Sequence, residues 1–348
     1  MQEVPSLSMA RGESSDGESE KIIDNLLEGT SRSFYLTLKV TPKKIRRQIS
    51  LMYLLARLAD TIADSKVGEN KILLELLSEY NNKIQDENRK LPDFTDLAII
   101  QEDAAEARLL HEAVIPVNYL QKSGQFTNSD KMKIKKLLDI IIGGQILDLE
   151  RFTDATGEKI ISLENEEELD DYTYRVAGSV GEFWTHMSLD HLFNMEEKEK
   201  KILFEKAVNF GKSLQLINIL RDLPEDLRMG RCYIPSQTLH EIEMTSEDLL
   251  EMNNIEKFRP LYDSYILRAE NYLDDAVDYI KMLPRSQFRL RLSCLLPVLI
   301  GQRTLQLLRD GNILDYNRRI KVLRPEIKKI MRKAIWLSIT GINPKKMN

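Results

Sequence analysis

Cysteine is nearly absent from this 348-residue chain. Only Cys232 and Cys294 occur, too few for a disulfide framework, and both are expected to be packing residues in a reducing, cytoplasmic compartment. Histidine is almost as scarce. His111, His186, His191 and His240 show no zinc-ligand spacing, and the separation of five between His186 and His191 does not stack their rings on one helical face, so no structural metal is indicated. No apolar run reaches the roughly 20 residues that a membrane-spanning helix needs. The longest, Leu137 to Leu147 and Leu292 to Ile300, are too short or interrupted, and no transmembrane anchor is expected. An excess of positive charge is missing too. The formal charge of −5 argues against nucleic acid as a partner, although basic residues can still gather around an anionic ligand.

What the chain does have is helix-forming apolar sequence. At 42% hydrophobic residues it can bury a substantial core. Residues 1–19 combine Ser, Gly, Glu and Pro with few large apolar side chains, which reads as a disordered tail. From Ile22 onward nearly every segment has helical periodicity, so residues 20–348 are expected to form one all-α domain of ten or more helices. Breaks are expected near Pro42, Gly68, Pro92, residues 122–129, residues 153–157, residues 230–235, Pro260, Pro284 and Gly311.

The most informative pattern is a pair of acidic motifs, Asp60-Thr-Ile-Ala-Asp64 and Asp222-Leu-Pro-Glu-Asp226, which follow Arg57 and Arg221. Residues four apart share a helical face, so each motif offers two carboxylates with an arginine beside them. The first lies in an otherwise apolar stretch, where a carboxylate needs a partner. In the second, Gln215, Asn218, Asp222 and Asp226 make one polar stripe on an apolar helix, the inverse of a surface helix. Mg²⁺ prefers carboxylate oxygens and bridges them to phosphates, while an arginine fork grips the remaining phosphate oxygens. Two such walls would hold a diphosphate. Pro224 removes a helical N–H inside the second motif and is expected to kink or end that helix.

Two further patterns have plainer readings. Asp274-Asp275-Ala-Val-Asp278 fits DDxxD, but Leu273, Ala276, Val277 and Ile280 mark it as the wet side of an ordinary amphipathic helix. Gly143-Gly144, Gly178 and Gly181 sit within helical sequence, where glycine costs stability and asks for a reason such as close helix packing or ligand approach.

Taken together, Thr30-Ser31-Arg32-Ser33-Phe34, Tyr53, Arg57, the Asp60/Asp64 motif, Tyr172 to Gly181, Gln215 to Asp226 and Arg228 to Pro235 make the chain resemble the squalene/phytoene synthases. These are the head-to-head prenyl transferases of the isoprenoid synthase fold. The resemblance implies a helical bundle around a central cavity, with Asp60, Asp64, Asn218, Asp222 and Asp226 holding Mg²⁺ on diphosphates. It implies that Ser31, Arg32, Ser33, Tyr53, Arg57, Gln215, Asn218 and Arg221 lie around the substrate. It places Arg32, Arg57 and Arg221 against diphosphate or a nearby nucleotide, and Tyr172 where a tyrosine assists carbocation and proton steps. Ala63 stands where squalene synthases with a more acidic first motif have Glu.

The family divides after its first condensation. Squalene synthases reduce the cyclopropyl intermediate with NADPH, whereas phytoene and dehydrosqualene synthases lose a proton instead. Ser293-Cys-Leu-Leu-Pro-Val298 and the basic segment Arg318 to Arg324 are similar to squalene synthases, with Lys321 on a matching nucleotide position and Arg324 one place beyond another. The expectation is thus a squalene synthase acting on farnesyl diphosphate with Mg²⁺ and NADPH. The alternative is a non-reducing synthase making dehydrosqualene, phytoene or a hydroxylated product. Release of an apolar product also suggests peripheral membrane contact.

Overall fold

The computed structural model describes residues 16–31, 34–65 and 70–340. Its first helices are α1 (Asp16–Thr30), α2 (Phe34–Val40), α3 (Lys43–Ala63) and α4 (Asn70–Gln85). Four more follow, α5 (Thr95–Ile100), α6 (Ala104–His111), α7 (Val114–Lys122) and α8 (Asn128–Arg151). After them come α9 (Glu166–Thr173), a π-helical turn (Tyr174–Gly178), α10 (Ser179–His191), α11 (Glu197–Arg228) and α12 (Ser236–Glu241). The described chain closes with α13 (Ile255–Met282), α14 (Phe288–Asp310) and α15 (Arg324–Thr340). Two strands of two residues each, β1 (Ile161–Ser162) and β2 (Arg231–Cys232), pair in parallel.

The fold class is the expected one, all-α. Helix α1 begins at Asp16, ahead of the boundary expected at residue 20, because Ile23, Leu26 and Leu27 give it an apolar stripe to bury. The remainder of the expected tail lies outside the described residues.

Helices α3, α8, α10, α11, α13 and α14 bury apolar side chains on one another. The sequence periods explain which faces meet. In α3, Ile45, Ile49, Met52, Leu55, Leu58 and Ile62 recur every three or four residues and are all buried. Glycine sets the closest crossing. A Cβ on Gly181 would sit 2.0 Å from the Ala207 carbonyl oxygen, and one on Gly211 would sit 2.0 Å from that of Ala177. Any side chain there would force α10 and the π-helical turn away from α11. Gly144 likewise lets Arg175 pass, with a notional Cβ at 3.1 Å from that side chain.

Neither of two prolines ends its helix, for identifiable reasons. Helix α11 runs through Pro224 without ending. The carbonyl that Pro224 leaves without its N–H partner is that of Leu220, and the buried Tyr262 hydroxyl donates to it at 2.9 Å. Helix α13 runs through Pro260, whose freed carbonyl belongs to the exposed Glu256 in the first turn, where water can satisfy it.

Candidate active site

Both acidic motifs sit at the C-terminal ends of long helices. Asp60 is in the last turn of α3 and Asp64 caps it, while Asp222 and Asp226 are in the last two turns of α11. A helix C-terminus already carries partial negative charge, so carboxylates are the wrong sign there unless a cation comes. The two ends face each other across a site whose middle is supplied by Asp148 of α8 and Arg231 of β2. The field of Arg231 acts on Asp64, Asp148 and Asp226.

Hydrogen bonds hold the first wall in place. Arg57 Nη1 donates to Asp60 at 2.9 Å, Arg57 Nη2 donates to Glu106, and Gln145 Nε2 donates to the other Asp60 oxygen at 2.9 Å. On the second wall, Arg221 clasps Asp222 with Nε at 2.8 Å, and Arg319 approaches Asp222 at 3.8 Å and Glu225 at 3.2 Å. Asp148 accepts from the Tyr233 hydroxyl at 2.9 Å, and its other oxygen is buried without a hydrogen-bond partner.

The electrostatics are those of a site short of positive charge. Burial and then the neighbouring Asp60 raise Asp64 to about 7. Burial and then Asp222 raise Asp226 to about 7. Asp148 rises to about 6, chiefly through burial, with Arg231 and Tyr233 opposing. Asp60 is raised as well, by burial against the pull of Arg57. Asp64 is accessible at the mouth, so water moderates its shift, whereas Asp148 is enclosed. Four raised carboxylates within one another's fields, one of them with an orphaned buried oxygen, are the donor type that a hard divalent cation takes.

Behind this mouth runs a cavity of about 390 Å³. Asp60, Arg57, Gln145, Gln215 and Asn218 line its polar end, and Ile49, Met52, Val180, Phe183, Trp184, Phe210, Leu214 and Pro297 line its apolar body. Gly181 and Gly211 also face it. The close-packing reading holds at Gly181, and the helix crossing that needs it is part of the cavity wall.

The structure brings together most of the expected residues. Arg57, Asp60, Gln215 and Asn218 line the polar end of the cavity, Asp64 and Asp226 both lie in the fields of Arg231 and Asp148, Arg221 clasps Asp222 on the second wall, and Tyr53 lines the cavity, stacked on Phe34 at 4.7 Å. Tyr172 stands just behind Gln215, with 3.5 Å between Gln215 Nε2 and its hydroxyl, and stacks on Tyr233 at 4.6 Å. Burial, followed by the negative field of Asp148, raises its phenol well above the ordinary value. Ser31 is buried and its hydroxyl turns back to the Leu27 carbonyl, so it caps α1. Arg32 and Ser33 lie outside the described residues. Lys321 and Arg324 are exposed and neither lines the cavity. The basic residue of that segment that reaches the acidic wall is Arg319.

The sequence reading overlooked Asp148 and Glu106 and gave Arg231 and Tyr233, within the Arg228 to Pro235 segment, no role. One signal was available for the first of these: Gln145 and Asp148, three apart in an apolar helix, are the first-wall counterpart of the Gln215/Asn218 stripe. Arg231 and Tyr233 lie on an extended segment, where helical spacing says nothing.

Comparison with known proteins places this geometry. Residues 27–326 match the squalene/phytoene synthase family. A 15-cis-phytoene synthase from Synechocystis sp. is 28% identical over 312 residues, covering 88% of this chain and 81% of that protein. A bifunctional lycopene cyclase/phytoene synthase from Podospora anserina is 26% identical over 232 residues, covering 64% of this chain and 36% of that protein. The chain thus spans well under half the length of the bifunctional relatives it matches. Among solved structures, the squalene synthase TcSQS in complex with a ligand superimposes with a TM-score of 0.74 at 17% identity, over 94% of this chain and 90% of that one. A dehydrosqualene synthase gives 0.63 at 19% identity, over 94% and 99%.

Proposed function

Since this chain belongs to the squalene/phytoene synthase family, whose members are head-to-head prenyl transferases using Mg²⁺ with prenyl diphosphates, we propose that it joins two geranylgeranyl diphosphates head to head and releases the product without reduction. The observation that carries the condensation is the acidic mouth opening onto an apolar cavity. Each of two successive steps breaks one carbon–oxygen bond and releases one diphosphate and one proton. The product is a C40 hydrocarbon.

Asp60, Asp64, Asn218, Asp222 and Asp226 would hold Mg²⁺, and the buried Asp148, with one oxygen unpartnered, would add to the same negative field. Bound there, Mg²⁺ neutralises the charge that builds up on a departing diphosphate. The chain's own side chains do the rest. Gln145 and Arg57 fix Asp60, Arg221 fixes Asp222, and the apolar walls exclude water from allylic cations that it would quench. Tyr172, held protonated by burial, presents its hydroxyl beside Gln215 at the polar end of the cavity.

The finer choice departs from the farnesyl diphosphate and NADPH reading of the sequence. The named relatives that are phytoene synthases support the non-reducing branch. So does the exposure of Lys321 and Arg324, two of the five basic residues expected around a nucleotide, outside the cavity lining. One observation favours the reductive branch: Cys294 and Pro297 of the Cys-x-x-Pro segment line the cavity. Product analysis after incubation with Mg²⁺ and geranylgeranyl or farnesyl diphosphate, with and without NADPH, separates the two. A C40 product independent of NADPH is expected, and squalene formed only from farnesyl diphosphate with NADPH would overturn the proposal.

A further inference from the structure

Helix α15 buries one face, and among the described residues nothing covers the other. Ala334, Leu337 and Ser338 are buried, Ile330 and Met331 pack on the core, and Arg303 of α14 ties the helix down through Glu326 at 2.9 Å. The outward stripe is Lys328, Arg332, Ile335, Trp336 and Ile339, at spacings that keep all five on one side of the helix. Ile335 is 44% exposed, Trp336 46% and Ile339 71%. Three large apolar side chains held together in water ask for a partner.

The charges choose the partner. Helix α15 carries five cations, Arg324, Lys328, Lys329, Arg332 and Lys333, and one anion, Glu326, which is already engaged by Arg303. This contrasts with a chain whose formal charge is −5. A second copy of the same face would set cation against cation, which disfavours self-association. An indole and isoleucines flanked by lysine and arginine match an anionic lipid surface, where the rings and branched chains enter the headgroup boundary and the long cations reach back to phosphate.

From these observations we infer that the outward face of α15 docks this protein on anionic membrane surfaces. The helix lies in the plane of the interface, its apolar C-terminal half inserted and its cationic N-terminal half on the headgroups. No described helix is long and apolar enough to cross a membrane. The position suits an apolar product. Helix α14 contributes Ser293, Cys294 and Pro297 to the cavity and faces α15 with Gln302, Arg303 and Gln306, so one helix separates the cavity from the docking helix. The docking itself rests on the chemistry of the face and not on which product is made.

Flotation of the full chain with vesicles tests it, comparing phosphatidylcholine alone with phosphatidylcholine containing phosphatidylglycerol. Binding to the anionic vesicles is expected to exceed that to neutral ones about tenfold or more and to weaken with salt. The double variant Trp336→Ser/Ile339→Ser should lose flotation, and Lys328→Glu/Arg332→Glu should lose the preference for anionic lipid, with helical circular dichroism unchanged. Because the chain has only two tryptophans, Trp184→Phe leaves Trp336 as the sole reporter, and its emission should shift to the blue on anionic vesicles. Unimpaired flotation of the apolar variant, or no blue shift while the protein floats, would assign docking elsewhere and overturn the inference. Failure to float at low salt would overturn it too, as would self-association abolished by Trp336→Ser/Ile339→Ser.

Discussion

Two acidic clusters in this molecule share a pattern and differ in everything around it. Asp274, Asp275 and Asp278 lie on the outer side of α13. There Lys206 reaches Asp275 at 3.1 Å, Asn209 donates to Asp275 at 2.7 Å, and Lys281 bonds Asp278 at 2.8 Å and holds it below the ordinary carboxylate range. Asp60, Asp64, Asp148 and Asp226 face one another, and all four are raised. The first cluster is balanced by lysine cations at the surface, whereas in the second Arg57 and Arg231 offset only part of the buried negative charge. A carboxylate motif acquires function when the fold leaves its charge unbalanced in an enclosed place.

The largest expected effects contrast the two clusters directly. Asp222→Asn should lower turnover on a prenyl diphosphate by about a thousandfold or more, since it removes a site for the charge that develops on the leaving group. Asp275→Asn should change turnover less than about twofold, because exposed ion pairs contribute about 0–1 kcal/mol to stability and nothing to the cavity. Steady-state kinetics of both variants checks this, and equal losses would erase the distinction.

The walls also depend on the packing behind them. Gly211→Ala should destabilise the protein by about 3 kcal/mol or more, because the new methyl group would lie 2.0 Å from the Ala177 carbonyl oxygen and force α11 off the π-helical turn. Chemical denaturation reads the loss. Charge balance gives a signed pH dependence. In the metal-free protein Asp226 binds its proton up to about pH 7 when folded, against an ordinary value of 3.8. The folded state therefore holds more protons between those values, and stability falls as pH rises from about 4 to 7. Mg²⁺ should reverse that loss. Its stabilising shift in Tm, on the order of 3–6 °C at pH 8, should shrink at pH 5.5, where protons compete for the carboxylates. A shift independent of pH would mean that the cation binds elsewhere.

The smallest effect concerns how the second wall survives its proline. Tyr262→Phe removes the hydroxyl that satisfies the Leu220 carbonyl and should cost about 1–3 kcal/mol. Hydrogen exchange should show the loosening concentrated around Pro224. A uniform effect along the chain would point to lost packing instead.

Much of the site was legible because its two halves obey helical spacing. Asp60 with Asp64, and Gln215 with Asn218, Asp222 and Asp226, announce buried polar stripes in apolar helices, and the DDxxD decoy announces a wet face in the same language. Asp148 was readable in principle by that rule. Arg231, Tyr233 and Glu106 were not, since each reaches the site from an element whose local sequence has no period relating it to the acidic motifs. That Pro224 does not end its helix was hidden for a similar reason. The partner that rescues the Leu220 carbonyl is 42 residues away in sequence.

By itself the sequence determined that this chain is helical, which faces of its helices are apolar and where carboxylates interrupt them, because these follow from propensity and a period of 3.6 residues. Only the tertiary structure decided that two helix ends meet around Asp148 and Arg231, that Arg319 rather than Lys321 or Arg324 approaches the wall, and that α15 leaves an apolar, cationic face uncovered. Those outcomes depend on distances between residues remote in the chain, set by close packing at a few glycines, and burial and electrostatic coupling act through space and not along sequence.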